Sequence, residues 1–293
     1  MMQPRDRAPM LYRLALGLTR RGVRGSWRLL GALGKIGVLD RPVNFKLSNS
    51  VGIIVPISRI PWDEKDVANY ESDLFERLRG YLTPLTAPVT LIDGGADIGL
   101  FSLKTLLLCP AIQRIVAFEP NPDGFVWLQQ NVGRLAVRGE AVQKALSDFE
   151  GLGRLEAPSA EFEKLAGYRM DHAANFLAPS PDGDIPVTTV DKLSLPEGGN
   201  LVLKLDIEGG EKAALQGAMR TIQAAANVVI VIEAHPLVAK RTGMDPVECL
   251  RLLASFRKFR FIAGETGAPI EIDRPIFEQL PPTQVYNLIG YTA

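Results

Sequence analysis

A mostly parallel α/β fold, with helices covering both faces of one sheet, is predicted by three features of this 293-residue sequence. Apolar runs of strand length alternate with segments of helical period, four of those runs end in a carboxylate, and the first of the four passes directly into a glycine cluster. Composition agrees, since 46% hydrophobic and 23% charged residues can bury a core, and 27 Gly with 21 Pro in no short period exclude a collagen-like or low-complexity chain. The 33 basic and 33 acidic residues cancel, which argues against a dedicated nucleic-acid binder. Cys109 and Cys249 form neither a disulfide framework nor a CxxC pair, so a reducing, cytoplasmic setting is expected.

Charge is unevenly spread along the chain. Residues 1–50 carry ten basic and two acidic side chains, a local net of +8 against −8 for the rest. Leu11, Leu14 and Leu18, then Trp27, Leu30 and Leu33, recur at helical spacing among the arginines, so this stretch reads as a basic amphipathic extension. Packing on its own domain or capping a cleft is the plainer expectation, and peripheral contact with an anionic membrane or acidic partner is the other. Arg13, Arg20 and Arg21 interrupt any secretory apolar region, and no run approaches the roughly 20 apolar residues of a membrane span.

Residues 51–293 are expected to form the main domain. Val51–Ser58 reads as an opening strand, and Val67, Tyr70, Leu74 and Leu78 give 63–81 a helical period. Pro84 and Pro88 precede the strand Val89–Asp93, a helix runs from Phe101 to Leu108, and Arg114–Glu119 is the next strand. A helix over 123–132 and a third strand over 141–146 complete a βαβαβ rhythm. Beyond an irregular stretch, Leu201–Asp206 and Val228–Glu233 flank a helix over 211–225, while 259–263 and 285–291 suit a closing strand pair.

The strongest chemical signal is Asp93-Gly94-Gly95-Ala96-Asp97-Ile98-Gly99 at a strand's carboxyl end, where backbone N–H groups can face a ligand and Gly95 and Gly99 allow close approach. Glu119, with Pro120 and Asn121 behind it, ends the next strand where a carboxylate can accept ribose hydroxyls. An acid ahead of the glycines would repel a dinucleotide's pyrophosphate but suits a cationic ligand. S-adenosyl-L-methionine carries a sulfonium and an ammonium that Asp93 and Asp206 could complement.

At these residues the chain resembles the FkbM-type methyltransferases. The resemblance rests on Leu91–Ser102, Ala117–Asn121, Lys144–Asp148, Thr188–Asp191, Val202–Glu211, Ile232–His235 and Asn287–Tyr291, and it covers roughly residue 51 onward. Asp97 stands where the family usually has Asn, and Gly94-Gly95 replaces an apolar-Gly pair. The resemblance implies a Rossmann-like class I methyltransferase fold with a seven-stranded, mostly parallel sheet, and methyl transfer from S-adenosyl-L-methionine to a hydroxyl of a small molecule, secondary metabolite or glycan. It also implies that residues 93–99 hold the methionine end, Glu119 the ribose, and Ala145 and Leu146 the adenine, with Asp148 nearby.

A hydroxyl needs a base or a metal as its oxygen attacks. Asp206 and Glu208, then Glu233 and His235, fall at strand ends with i, i+2 parity and are the catalytic candidates, His235 having the best intrinsic pKa for a base. Lys204 reads as a buried partner for the acids, and no spacing demands a metal site. The stretch 151–186, with Tyr168, Arg169, His172 and Phe176, is expected to set acceptor specificity as a lid. Two other readings compete: an RNA 2'-O-methyltransferase, opposed by the acidic balance of residues 51–293, and a non-catalytic nucleotide-binding scaffold at a membrane surface.

Overall fold

The computed structural model describes residues 3–86, 88–159 and 175–292. The chain divides into two compact units, Met1–Ser72 and Asp73–Ala293. In the first, α1 (Met10–Arg20) and α2 (Ser26–Lys35) precede an antiparallel pair, β1 (Val43–Lys46) and β2 (Gly52–Val55), and the short α3 (Glu64–Asn69). Tyr12 of α1 is buried and donates its hydroxyl to the Trp62 carbonyl at 2.8 Å, while Arg20 pairs with Asp63 and Asp66. Asp63 caps α3 through a reciprocal capping box with Asp66. The strand expected to open the main domain is therefore half of this hairpin. Since β2 hydrogen-bonds to β1 and joins no larger sheet, residues 51–72 belong with the first unit rather than with the domain expected to begin at 51.

The second unit holds the expected doubly covered sheet. After α4 (Ser72–Leu82) come β3 (Val89–Gly94), α5 (Leu100–Leu108), β4 (Ile112–Phe118), α6 (Pro122–Val132), β5 (Arg138–Val142) and β6 (Ala145–Leu146). There follow β7 (Gly151–Glu156), β8 (Phe176–Pro179), β9 (Ile185–Thr188), β10 (Asn200–Leu205), α7 (Glu211–Gln216) and α8 (Met219–Ala224). The chain closes through β11 (Val228–Ala234), α9 (Pro236–Thr242), α10 (Val247–Phe256), β12 (Phe259–Ala263) and β13 (Tyr286–Thr292). Seven strands pair in the order β12-β13-β11-β10-β3-β4-β5, with β13 antiparallel to both its neighbours and the other pairings parallel. All six residues of β3 and of β10 are buried, which explains why apolar side chains predominate in both: a central parallel strand is covered on both faces.

Three expectations are corrected here. The third strand, read as 141–146, splits at Gln143-Lys144: β5 stays in the large sheet, while β6 leaves it to pair with β9 in a four-stranded sheet ordered β6-β9-β7-β8. The stretch 151–186, expected to be irregular, supplies β7, β8 and β9 of that sheet, and the lid residues Tyr168, Arg169 and His172 lie outside the described residues. The helix over 211–225 breaks at Gly217-Ala218. A Cβ on Gly217 would sit 2.1 Å from the Ser147 carbonyl oxygen, and Asp191 caps the new helix by accepting from Arg220 N at 3.1 Å and Thr221 N at 2.8 Å.

Candidate active site

The candidate residues gather at the carboxyl ends of β3, β4, β10 and β11, where the loops of an open parallel sheet form its crevice. Strand β3 runs into the glycine turn. Gly95 has φ +75° and its missing Cβ would lie 1.8 Å from the Asp206 carbonyl oxygen, while Gly99, at φ +86°, faces Leu128. These glycines therefore make room for the protein's own chain, where the sequence reading had them make room for a ligand. Gly94 likewise abuts Leu146 and Leu205. Ala96 is buried, and Asp97 adopts φ +45°, a left-handed conformation that Asn and Asp share more readily than other side chains.

Glu119 fixes the turn to the neighbouring strand. Its Oε2 accepts Asp97 N at 2.9 Å and its Oε1 accepts Asn121 N at 2.8 Å. Asn121 caps α6 by accepting Asp123 N at 3.0 Å and borders a pocket of about 550 Å³ shared with Asp123, Arg154, Asp182 and Asp184. Ala145 and Leu146 are both buried, Ala145 against Ile185 and Val187 of the small sheet and Leu146 in the main core beside Gly94.

Asp93 lies beneath the turn, fully buried. One oxygen accepts the Ser102 hydroxyl at 2.6 Å, and Oδ1 has no hydrogen-bond partner among the described residues. Burial raises its pKa, against the pull of Lys204 and Ser102. Lys204 is 2% exposed, and its Nζ donates to Asp206 Oδ2 at 2.8 Å and lies 5.3 Å from the centre of the Phe101 ring.

Asp206, Glu208 and Glu233 converge, each placing a carboxylate oxygen within 4.8 Å of the other two, and all three are partly open to solvent. Such an all-oxygen set can hold a hard divalent cation or retain a proton. Glu233 holds its proton well above the ordinary carboxylate range, first through burial and then through the charges of Asp206 and Glu208. The loop carrying these acids is fastened by Glu211, whose Oε1 accepts Ile207 N and Gly209 N, both at 3.1 Å, and by Arg241, which donates to the Glu208 carbonyl. Arg241 also stacks 4.1 Å from the Phe176 ring of β8, joining this loop to the small sheet. The sequence reading assigned no role to Glu211 or Arg241; an acid in a helix's first turn is a signal for the first, and nothing local marks the second.

His235 sits beside the cluster in another role. Its Nδ1 accepts Leu237 N at 3.1 Å as the cap of α9, and burial lowers its pKa. A neutral imidazole in that bond carries its proton on Nε2, leaving a donor at the free nitrogen. Between Glu233, His235 and Glu211 lies a cavity of about 20 Å³, the space of one water.

The strand order, with its single reversed strand, is that of the class I methyltransferase fold. The chain belongs to the FkbM methyltransferase family, whose domain profile matches residues 93–261. It is 28% identical over 168 residues to the hexuronic acid methyltransferase AglP of Haloferax volcanii, covering 56% of this chain and 61% of that one. It is 32% identical over 152 residues to the 31-O-demethyl-FK506 methyltransferase FkbM of Streptomyces tacrolimicus, covering 43% and 58%. The chain thus spans about three fifths of the length of these curated relatives. Among solved structures it is similar to the N-methyltransferase NodS of Bradyrhizobium japonicum in complex with S-adenosyl-L-homocysteine, at 12% identity and a TM-score of 0.38 over 78% of this chain and 86% of that one. The residues present fit S-adenosyl-L-methionine, the cofactor of class I methyltransferases: a carboxylate stands directly after β4, and a group of acids suits a cationic ligand.

Proposed function

We propose that this chain is an O-methyltransferase acting on a hydroxyl of a small molecule or glycan, with Glu233 as the proton acceptor. The observation that carries the reading is the meeting of Asp206, Glu208 and Glu233 at adjoining strand ends, with Glu233 tuned upward in proton affinity. Bound, S-adenosyl-L-methionine supplies an electrophilic methyl group on a sulfonium. The backbone of Gly94 to Gly99 would hold its methionine portion, Glu119 and Asn121 its ribose, and Ala145 and Leu146 the adenine, while Asp93, bonded to Ser102, would act from below through its charge.

Glu233 would take the hydroxyl proton as the acceptor's oxygen bonds to the methyl carbon and the carbon–sulfur bond breaks, with the neutral thioether S-adenosyl-L-homocysteine as leaving group, so the oxygen attacks without carrying a positive charge. Asp206 and Glu208 hold that proton on Glu233 through their own charges, and Nε2–H of His235 donates to the acceptor. The names of the two curated relatives, one for a hexuronic acid and one for 31-O-demethyl-FK506, support a hydroxyl-bearing acceptor.

Calorimetric titration with S-adenosyl-L-methionine, paired with turnover on a panel of sugar and macrolide hydroxyls, tests the assignment. Glu233→Gln should keep cofactor affinity and lose about 10²–10⁴ in kcat. Glu119→Ala should lose roughly 5–150-fold in affinity, the equivalent of about 1–3 kcal/mol. Because Glu233 must be ionised to accept a proton, kcat/KM should rise with pH through a midpoint above the usual carboxylate range, a step missing from Glu233→Gln. Full activity in Glu233→Gln would refute the role, and activity lost to EDTA and restored by Mg²⁺ would move the three carboxylates from proton transfer to cation binding.

A further inference from the structure

The first unit exposes a surface that the methyl-transfer chemistry leaves unused. Eight of the thirteen exposed large apolar side chains among the described residues fall within residues 10–36. In α1, Tyr12, Ala15 and Leu16 are buried, whereas Met10, Leu11, Leu14 and Leu18 form a second apolar stripe on the opposite side, with Leu11 57% and Leu14 56% exposed. The stripe continues through Val23 to Trp27, 65% exposed on α2, and to Ile36, 71% exposed just beyond it. Burying one face explains an amphipathic helix in a folded unit; the second stripe has no such explanation within the unit.

Seven basic residues and no acidic one lie from Arg7 to Leu39. Arg20 is held by Asp63 and Asp66, while Arg7, Arg13, Arg21, Arg24, Arg28 and Lys35 are exposed and form no ion pair among the described residues. Arg28 stacks over the Trp27 ring at 5.4 Å. Cations beside exposed leucines and an exposed indole match the headgroup and upper acyl layers of an anionic bilayer, where charge and apolar burial act together. A second copy of the same face would bring like charges together, and nucleic acid would gain little from Leu11, Leu14 and Leu18. Among the described residues no helix is long and apolar enough to cross a membrane, so any contact here is in the plane of the surface.

We propose that the outward face of α1 and α2 docks on an anionic lipid surface. The test is co-sedimentation of the full chain with vesicles of phosphatidylcholine alone and of equal parts phosphatidylcholine and phosphatidylglycerol, at low and high salt. The chain should bind the mixed vesicles, weaken with salt, and bind the neutral ones far less. Leu11→Asp with Leu14→Asp, and separately Arg21→Glu with Arg24→Glu, should each reduce binding about tenfold or more. Circular dichroism and the thermal midpoint should stay unchanged, because these side chains are exposed. Absence of binding to the mixed vesicles overturns the proposal, as does binding that neither double variant weakens. Self-association in sedimentation velocity that the variants abolish, without vesicle binding, overturns it in favour of a protein interface.

Discussion

Lys204→Met removes the buried cation among the acids and leaves a side chain of similar length beside Phe101. In the wild-type chain Nζ lies 2.8 Å from Asp206, and its charge lowers the pKa of both Asp93 and Glu233 against burial that raises them. Breaking a fully buried pair by deleting one partner costs about 3–5 kcal/mol, but Asp206 is 27% exposed and keeps part of its hydration, so the expected loss is about 1–3 kcal/mol. For a unit of this size that corresponds to roughly 2–12 °C in Tm. The pH dependence has a definite sign. Asp93, Glu211 and Glu233 have folded pKa values raised above their unfolded ones, so their favourable contribution is complete below about pH 4 and is lost as pH rises through the folded values. Without Lys204, Asp93 and Glu233 shift further upward, so the deficit of the variant must grow with pH. Thermal unfolding of both proteins at about pH 5.5 and about pH 8 should show a markedly larger Tm gap at the higher value. A gap that is flat with pH, or a deficit under about 1 kcal/mol, would refute this account of the lysine.

Two further outcomes follow from the geometry. Gly95→Ala forces a Cβ to within 1.8 Å of the Asp206 carbonyl at φ +75°, so the β3–β10 junction must open; expression should fall, with loss of several kcal/mol measured by urea unfolding of any soluble fraction. His235→Asn keeps an acceptor for Leu237 N and should preserve stability, whereas His235→Ala should lose about 1 kcal/mol, and equal thermal midpoints for the two would show that the cap bond is not made.

Periodicity carried the reading of the large sheet because its central strands are buried on both faces and their neighbours in sequence are also neighbours in space. It misled where a segment changed sheets. Nothing in the run from Ala141 to Leu146 signals that β6 turns away to meet β9, since that partner lies some forty residues on and short apolar runs look alike in either sheet. The strand near residue 52 misled for the same reason, its partner being β1 and not the domain's core.

Within the site, the sequence by itself determined which residues reach the crevice: strand-end acids and a glycine turn lie at the sheet's carboxyl edge whatever the details of packing. Tertiary structure decided what each of them does. Gly95 is required by the Asp206 carbonyl, Asp93 is sunk beneath the turn and bound to Ser102, and His235 has its Nδ1 committed to a helix cap. It also gathered Asp206, Glu208 and Glu233 within 4.8 Å, with Lys204 as their buried counter-charge. The physical reason is range: strand and helix periods are set by local backbone geometry, whereas proton affinity and hydrogen-bond commitment depend on groups from four strands that only the folded sheet brings together.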